Sequence, residues 1–544
     1  MPDAPKPQAM PLTRWLESAC GGALLTALAA LAAHLSVLGG GFIWLDHGDL
    51  EHGAAVAAPA GFLALFTHGF ARTGFYRPLM ALSLSLDMLV GSPLWFHAVN
   101  LGWHVAASVA VVFAARALGL PGRVAALAGV LFGVHPAGSL VAGALAYRSE
   151  SLIGVALLLL VVAHRKEQRW LAAAALLGGA LCKETVYVLA PAFIVATELV
   201  RGDWRAWRRR SGLFVVEVSA LAVAAGMRLA FAPAWHAVYP PLEGSDAVGT
   251  RLAALAKSAL RVLWPTDPSI CDAFPILGPS HPRALAGLLV LLALGALAAW
   301  RRGPALFLFL AMLPSLDLVP APRFWSPHYL YLPLAFAAML AAELLVRLRR
   351  GAWVGGAVLA AVLGVLSFRD GRRFCSDEAY FQPEVQAQPR CREAHFYLGM
   401  SHFRAEEVDA AGEELSLAAA QVPGYLSYVD LPSAMENLGA VRIKQRRYGE
   451  ASSVLRRALE IASSEPQRRQ MLHNLAASEL SQGNAAEVVK LLAPEASRED
   501  ANRQTLLLYV RALKDSGDRE GAMTLLRRLG MIGPGGEFIQ LPAP

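Results

Sequence analysis

The sequence predicts an all-α fold in two parts: a polytopic bundle of about eleven transmembrane helices over residues 1–370, then a soluble α-solenoid over 371–544. Three observations carry this. The chain is 55% hydrophobic and only 17% charged, where a soluble domain is nearer about 25% charged. Apolar runs alternate with short basic loops up to Phe368, whereas beyond Arg369 charges are frequent and no run is long enough to span a bilayer. Finally, the last part of the chain repeats itself at an interval typical of stacked helix pairs.

A spanning helix needs about 20 apolar residues. The candidate segments lie near 20–40, 96–117, 122–143, 149–164, 169–182, 184–200, 212–231, 283–300, 304–319, 328–346 and 352–368. The boundaries around 150–200 are set by Lys183 and Glu184, which interrupt a long apolar stretch. The first run lacks a small-x-small cleavage site, so it reads as a retained helix rather than a signal peptide. Starting with the N-terminus inside, every basic cluster falls on one side of the membrane, as the positive-inside rule requires. These are Arg116 and Arg123; Arg165, Lys166 and Arg169; Arg201 with Arg205 and Arg208–Arg210; Arg301 and Arg302; and Arg347, Arg349 and Arg350. The net charge of +7 therefore speaks of topology, not of nucleic acid. An odd number of spans places the soluble part on the outer side.

The five cysteines show neither metal-ligand spacing nor a CxxC pair. Cys20 and Cys182 read as small hydrophobes in apolar runs, and Cys375 and Cys391 can pair if their side is oxidising.

In the soluble part, residues 394–423 ("AHFYLGMSHFRAEEVDAAGEELSLAAAQVP") and 434–466 ("AMENLGAVRIKQRRYGEASSVLRRALEIASSEP") share an early Leu-Gly, small residues mid-repeat and a closing Pro. The pattern resembles the tetratricopeptide repeat, or TPR. Weaker copies follow, which gives about four stacked units. An ordinary helical bundle is the alternative.

The densest early group of titratable residues, in "FIWLDHGDLEHG", stands where the chain leaves its first apolar run. Three readings are open: a solvated loop start; a metal site built from His47, His52 and carboxylates, although the spacing fits no recognised motif; or a catalytic carboxylate at the membrane surface. Asp46, nearest the helix end, is expected to be the most constrained, and Asp49, Glu51 and His52 to be solvated. Other polar residues lie on the same expected side. They are Arg77; His97, Asn100 and His104 on one helix face; His135; Arg148 and Glu150; Lys183 and Glu184; Asp272, Asp317, Arg323 and His328. Singly, each reads as a snorkelling or bundle-satisfying residue. Together they form a polar rim that suggests one shared cavity.

The ordered set "FYRPLMALSLSLD", "FHAVNLGWH", "LFGVHP", "YRSESL", "CKET" and "LVPAPRFWSPHYLYLP", followed by TPR units, resembles the transmembrane-and-TPR protein O-mannosyltransferases and their bacterial relatives, within the GT-C glycosyltransferases. The resemblance implies a GT-C-like bundle. It implies that Asp46 is the catalytic base, in place of the second aspartate of a segment like "FVYDD", with Leu45 at the first. Arg148 and Glu150 match a "GRAE" turn, and Lys183 and Glu184 a "KE" pair. Asp272 matches an "LSxDY" segment, and His328 stands for Arg in "ERYLYLP". Of "HPxHTE" only His135-Pro136 is kept, with Leu140 where a glutamate would stand. The implied donor is a polyprenyl-phosphate-linked sugar. Arg148, Lys183, Arg323 and His328 would bind its phosphate, and His47, Arg77, His135, Glu150, Glu184 and Asp272 would support the site. No metal or cofactor is needed. The implied acceptor is a protein or peptide held by the TPR part. The implied location is a bacterial inner membrane, with a cytoplasmic N-terminus, a periplasmic TPR domain and membrane lipid around the bundle. Two rivals stand beside this reading: a non-catalytic membrane-anchored TPR scaffold with a degenerate bundle, and a transporter. The transporter would need polar residues near the midplane rather than at one face.

Overall fold

A computed structural model describes residues 17–51, 61–70, 75–232, 242–265, 269–270, 273–317, 323–347, 352–462 and 464–532. Asp272 and His52 lie outside these residues, as does the side chain of Glu51. Among the described residues the fold is all-α apart from a two-residue pair of strands, and the chain divides into two units, Met1–Pro383 with Gly424–Leu426, and Glu384–Pro423 with Ser427–Pro544.

The first unit is built from α1 (Ala19–His34), α2 (Pro78–Asp87), α3 (Pro93–Ala117), α4 (Gly122–Gly133), α5 (Ser139–Gly143), α6 (Arg148–Arg165), α7 (Arg169–Ala180), α8 (Val186–Arg201), α9 (Ser211–Phe231), α10 (Gly244–Leu263), α11 (Pro282–Arg301), α12 (Pro304–Met312), α13 (Tyr331–Arg347) and α14 (Ala352–Gly371). Local signals set the ends. Prolines open α2, α3, α11 and α12, where the missing N–H would have no helical partner anyway. Ser92 caps α3 by accepting from the Trp95 N–H, and Gly202 ends α8 in the left-handed conformation at φ +73°. Strand β1 (Phe274–Pro275) pairs antiparallel with β2 (Tyr425–Leu426).

All eleven expected segments are helical. Among the described residues seven helices are long and apolar enough to cross a membrane, and a pair bent by 57°, Gly122–Gly133 with Pro136–Gly143, makes an eighth. The segments near 169–182, 184–200 and 304–319 form α7, α8 and α12, of 12, 16 and 9 residues. They are shorter than the roughly 17 residues that a span requires. The sequence reading counted apolar content, and hydropathy alone does not report where a helix breaks. The chain is an integral membrane protein. Lipid contact grades the spans: the apolar window of Leu145–Arg165 is 78% buried inside the protein, that of Pro282–Arg301 only 17%. Accordingly Leu285, Leu289, Leu292, Val354, Val358 and Val365 point outward, as they must where hydrocarbon is the solvent.

In the second unit the described helices form four successive pairs, Arg392–Arg404 with Val408–Ala419, Leu431–Lys444 with Tyr448–Ile461, Glu465–Ser481 with Ala485–Ala496, and Arg503–Asp515 with Arg519–Arg528. The repeated Leu-Gly has a steric cause. A Cβ on Gly399 would sit 2.9 Å from Cγ of Leu415, and one on Gly439 would sit 2.6 Å from Cγ of Leu455, so glycine lets each hairpin close. The turn inside each pair uses one left-handed residue, at Glu406, Arg446, Gly483 and Gly517 in order.

Cys375 is a free thiol, whereas Cys391 is disulfide-bonded. The pairing of these two with each other is therefore ruled out.

Candidate active site

After α1 the chain makes a tight turn that needs Trp44 at φ +58°, an uncommon conformation for a bulky residue. Asp377 holds it there. Its Oδ1 accepts from the Trp44 N–H at 2.7 Å, and its Oδ2 lies 2.7 Å from Nε2 of His47. The Trp44 ring is buried against Tyr147, Tyr380 and Phe381, and the Arg323 guanidinium lies 5.1 Å from its centre. Asp46, 2% exposed, follows in this turn, and its Oδ2 accepts from the Ile43 N–H at 3.3 Å. Burial raises the Asp46 carboxyl well above the usual carboxylate range, against the Ile43 N–H, and the Asp49 and Asp377 charges push the same way. Asp49, in the π-helical turn His47–Glu51 that follows, is only partly exposed and is not the solvated residue expected from sequence. Burial pushes it up to about 6, against the pull of Arg77.

Across from this turn, polar side chains from the ends of α2, α6, α8 and α13 form a chain of ion pairs. Arg77, which precedes α2, donates from Nε and Nη2 to Oε2 of Glu184 at 3.0 and 2.9 Å, while the Tyr76 N–H donates to Oε1 at 3.0 Å. The Arg77 guanidinium stacks 4.1 Å from the Phe75 ring centre. Lys183 pairs with Glu150, in the first turn of α6, where a carboxylate is favoured by the helix dipole. Oε1 of Glu150 also lies 3.6 Å from Nε2 of His328. Nδ1 of His328 lies 2.6 Å from the Ser326 hydroxyl, and its ring packs 4.3 Å from that of Tyr147. The charges of Lys183, Arg323 and Arg77 all act on His328. The structure thus brings together Arg77, Glu150, Lys183, Glu184, Arg323 and His328, which are distant in sequence.

Two residues of the expected site have other employment. Arg148, wholly buried, donates to Asp87 (2.5 Å), Ser83 (2.9 Å), Asn100 (3.3 Å) and the Phe96 carbonyl (3.1 Å). Four of the five N–H groups of a guanidinium are thereby used, so it ties α2, α3 and α6 together and offers little to a phosphate. His135 is consumed by a cap and a tether. Its Nδ1 accepts from the Ala137 N–H at 3.1 Å, and its Nε2 lies 3.0 Å from the Val262 carbonyl. His97, Asn100 and His104 do share a face of α3, and they use it to bond Gly41, Val141, Ala142, Gly133 and Tyr331. Such bonds fasten helices in a bilayer.

Sequence reasoning missed three participants. Asp377 carried no signal beyond its place after a serine at a helix start, 330 residues from its partner. Asp87 ends an apolar helix, and a lone carboxylate there demands a cation. Arg228, near the end of α9, lies 3.7 Å from Oε1 of Glu184, and its buried Nη1 makes no hydrogen bond. A small cleft of about 20 Å³ is lined by Leu140, Arg261, Pro327, Asp370 and Tyr380 among others. Leu140 thus occupies the wall of a cleft. Among the described residues no group of three or more His, Cys, Asp and Glu is placed to hold a metal ion.

Comparison with known proteins bears out the resemblance seen in the motifs. Protein O-mannosyl-transferase Tmtc1 of Drosophila melanogaster is 32% identical over 174 residues, 29% of this chain and 20% of the relative. Protein O-mannosyl-transferase Tmtc2 of the same organism is 28% identical over 255 residues, 41% of this chain and 27% of the relative. The chain is a distant homologue of both and spans well under a third of the length of either. No family model matches it, and no solved structure does so significantly.

Proposed function

We propose that this chain is a membrane glycosyltransferase that moves a sugar from a polyprenyl-phosphate donor to a hydroxyl of a protein acceptor. One observation carries the reading: two carboxyls with raised affinity for protons, the buried Asp46 and the partly exposed Asp49, lie near a cluster of cations at helix ends. The similarity to two O-mannosyl-transferases supports it.

In this scheme Asp46 in its ionised form takes the proton from the acceptor hydroxyl. The acceptor oxygen bonds to the sugar's anomeric carbon, and the bond from that carbon to the donor phosphate breaks. The departing polyprenyl phosphate gains negative charge, which Lys183, Arg77 and Arg323 offset, with Arg228 in place of Arg148. A carboxylate base whose proton affinity is raised is suited to this work. Phosphate entry takes Lys183 from Glu150, which can turn toward His328. Neither a metal nor a cofactor is required. The helix-pair solenoid is read as a TPR domain that holds a peptide in its concave groove.

We place the site on the outer side of a bacterial inner membrane, with the N-terminus inside. Disulfides persist in oxidising compartments, so the disulfide at Cys391 agrees with an outer location for the second unit. The rival scaffold reading draws on the pairing of Arg77 and Lys183 with carboxylates, which leaves both already neutralised.

Purified protein incubated with a panel of polyprenyl-phosphate-linked sugars should release polyprenyl phosphate. Absence of turnover across the panel, with and without hydroxyl peptides, would favour the scaffold.

A further inference from the structure

Helices α1, α4 and α14 leave a groove of about 440 Å³ on the surface of the first unit, lined by apolar residues alone. Small residues make it: Ala29, Ala32 and Ala33 come from α1, and Ala360, Ala361 and Gly364 from α14. A Cβ on Gly364 would meet Cβ of Ala33 at 3.7 Å and Cβ of Val134 at 3.9 Å, both ordinary contacts. The groove opens outward, because Ala32, Ala361, Val365 and Phe368 are exposed. The apolar windows of the spans Ala19–Gly39 and Val354–Cys375 are only 39% and 22% buried inside the protein. In a bilayer such a surface meets hydrocarbon, and a depression in it gains dispersion contacts only when a chain fills it.

One end of the groove is charged. Gly364, Val365 and Phe368 line α14 at helical spacing, and Arg369 and Arg372 continue that face, four residues after Val365 and Phe368. Both arginines are exposed, and among the described residues neither side chain makes a hydrogen bond or ion pair. Within 369–373 three arginines stand against one carboxylate, Asp370, which pairs with Arg373 at 3.3 Å. The helix dipole favours a cation in the last turn of α14, and that accounts for one of the two left over. We propose that the groove and these two arginines bind one anionic phospholipid, with an acyl chain along α1 and α14 and the phosphate on Arg369 and Arg372. Hydrocarbon would let any lipid into the groove, whereas the surplus of positive charge selects an anionic headgroup. The guanidinium fork suits it, since it engages two phosphate oxygens at once. A second copy of the chain is the other occupant that a face of small residues accepts. A two-fold pair, however, sets the same patch against itself, and would bring Arg369 and Arg372 up to their own copies.

This site is independent of glycosyl transfer. The test titrates the full-length protein in detergent with dioleoyl phosphatidylglycerol and, separately, with dioleoyl phosphatidylcholine, and counts retained lipid by native mass spectrometry. Phosphatidylglycerol should bind as one molecule and more tightly than phosphatidylcholine, although the chains are identical. Glycerol 3-phosphate, a headgroup without chains, should not compete. A basic residue beside an anionic lipid surface is worth about fivefold in affinity. The double variant Arg369→Gln, Arg372→Gln should therefore weaken phosphatidylglycerol about 25-fold and leave phosphatidylcholine unchanged. Both positions are exposed, so this variant should fold. Gly364→Leu fills the groove and should abolish retention of phosphatidylglycerol; Ala361→Leu, at an exposed position, does the same should Gly364→Leu fail to fold. Equal affinity for the two lipids, an unchanged affinity in the double variant, or retention in the groove-filled variants would overturn the proposal. So would stoichiometric displacement of phosphatidylglycerol by polyprenyl phosphate, which gives the groove to the donor's chain, or a wild-type dimer that Gly364→Leu dissociates.

Discussion

Asp377→Ala tests how the Asp46 turn is held. The substitution removes the acceptor of the buried Trp44 N–H and the partner of His47, both at 2.7 Å. An orphaned buried N–H costs about 1–3 kcal/mol, and a hydrogen bond to a charged group is worth about 1.5–3 kcal/mol. His47 is partly exposed, so water recovers some of the second term, and the expected loss is about 2–4 kcal/mol. The left-handed backbone at Trp44 costs roughly 1–2 kcal/mol by itself. With its tether gone the turn should relax toward an ordinary conformation and carry Asp46 out of place. The loss should be local: protease cleavage between residues 42 and 51 should rise sharply and donor turnover should fall, while thermal unfolding shifts modestly. Asp377→Asn keeps an oxygen for the Trp44 N–H and can donate to a neutral His47, so it should recover most of both. If Asp377→Ala retains wild-type turnover and protease resistance, or if Asp377→Asn is equally damaging, the tether argument fails.

Asp46→Asn keeps an acceptor for the Ile43 N–H and removes the base, so turnover should fall about 10²–10⁴-fold. Its thermal stability should hold or rise, because a carboxyl whose burial opposes ionisation is replaced by a neutral amide. Asp49 binds its proton more tightly folded, at about 6, than unfolded, at about 3.9. The folded state then holds more proton between these values, so stability from this group falls as pH rises through that window and is level above it. Asp49→Asn should flatten that decline, by about 1–2 kcal/mol after allowance for partial exposure, in thermal melts from pH 4 to pH 7. Arg148→Met leaves Asp87 buried without its cation and should cost about 3–5 kcal/mol, read as loss of folded protein in detergent. A variant that folds normally but no longer binds donor would instead restore Arg148 to the phosphate site.

Much of this protein was legible in its sequence. Among the described residues, hydropathy located all seven helices long and apolar enough to cross a membrane, because a bilayer core accepts little else. The Leu-Gly repeat marked the hairpins of the second unit, since a side chain at Gly399 or Gly439 would strike the partner helix. The ordered motifs pointed to the O-mannosyl-transferase relatives. What the sequence could not fix was pairing. Whether Arg148 serves a ligand or a neighbour depends on Asp87, Ser83 and Asn100 converging on one guanidinium. Whether Asp49 is solvated depends on the turn that buries it, and that turn depends on Asp377, over three hundred residues away. Helix length likewise escaped the count of spans: α7, α8 and α12 end after 12, 16 and 9 residues. Apolar content and local repeats are properties of neighbours along the chain. The worth of a charge is set by the dielectric and the partners around it, and only the folded chain supplies those.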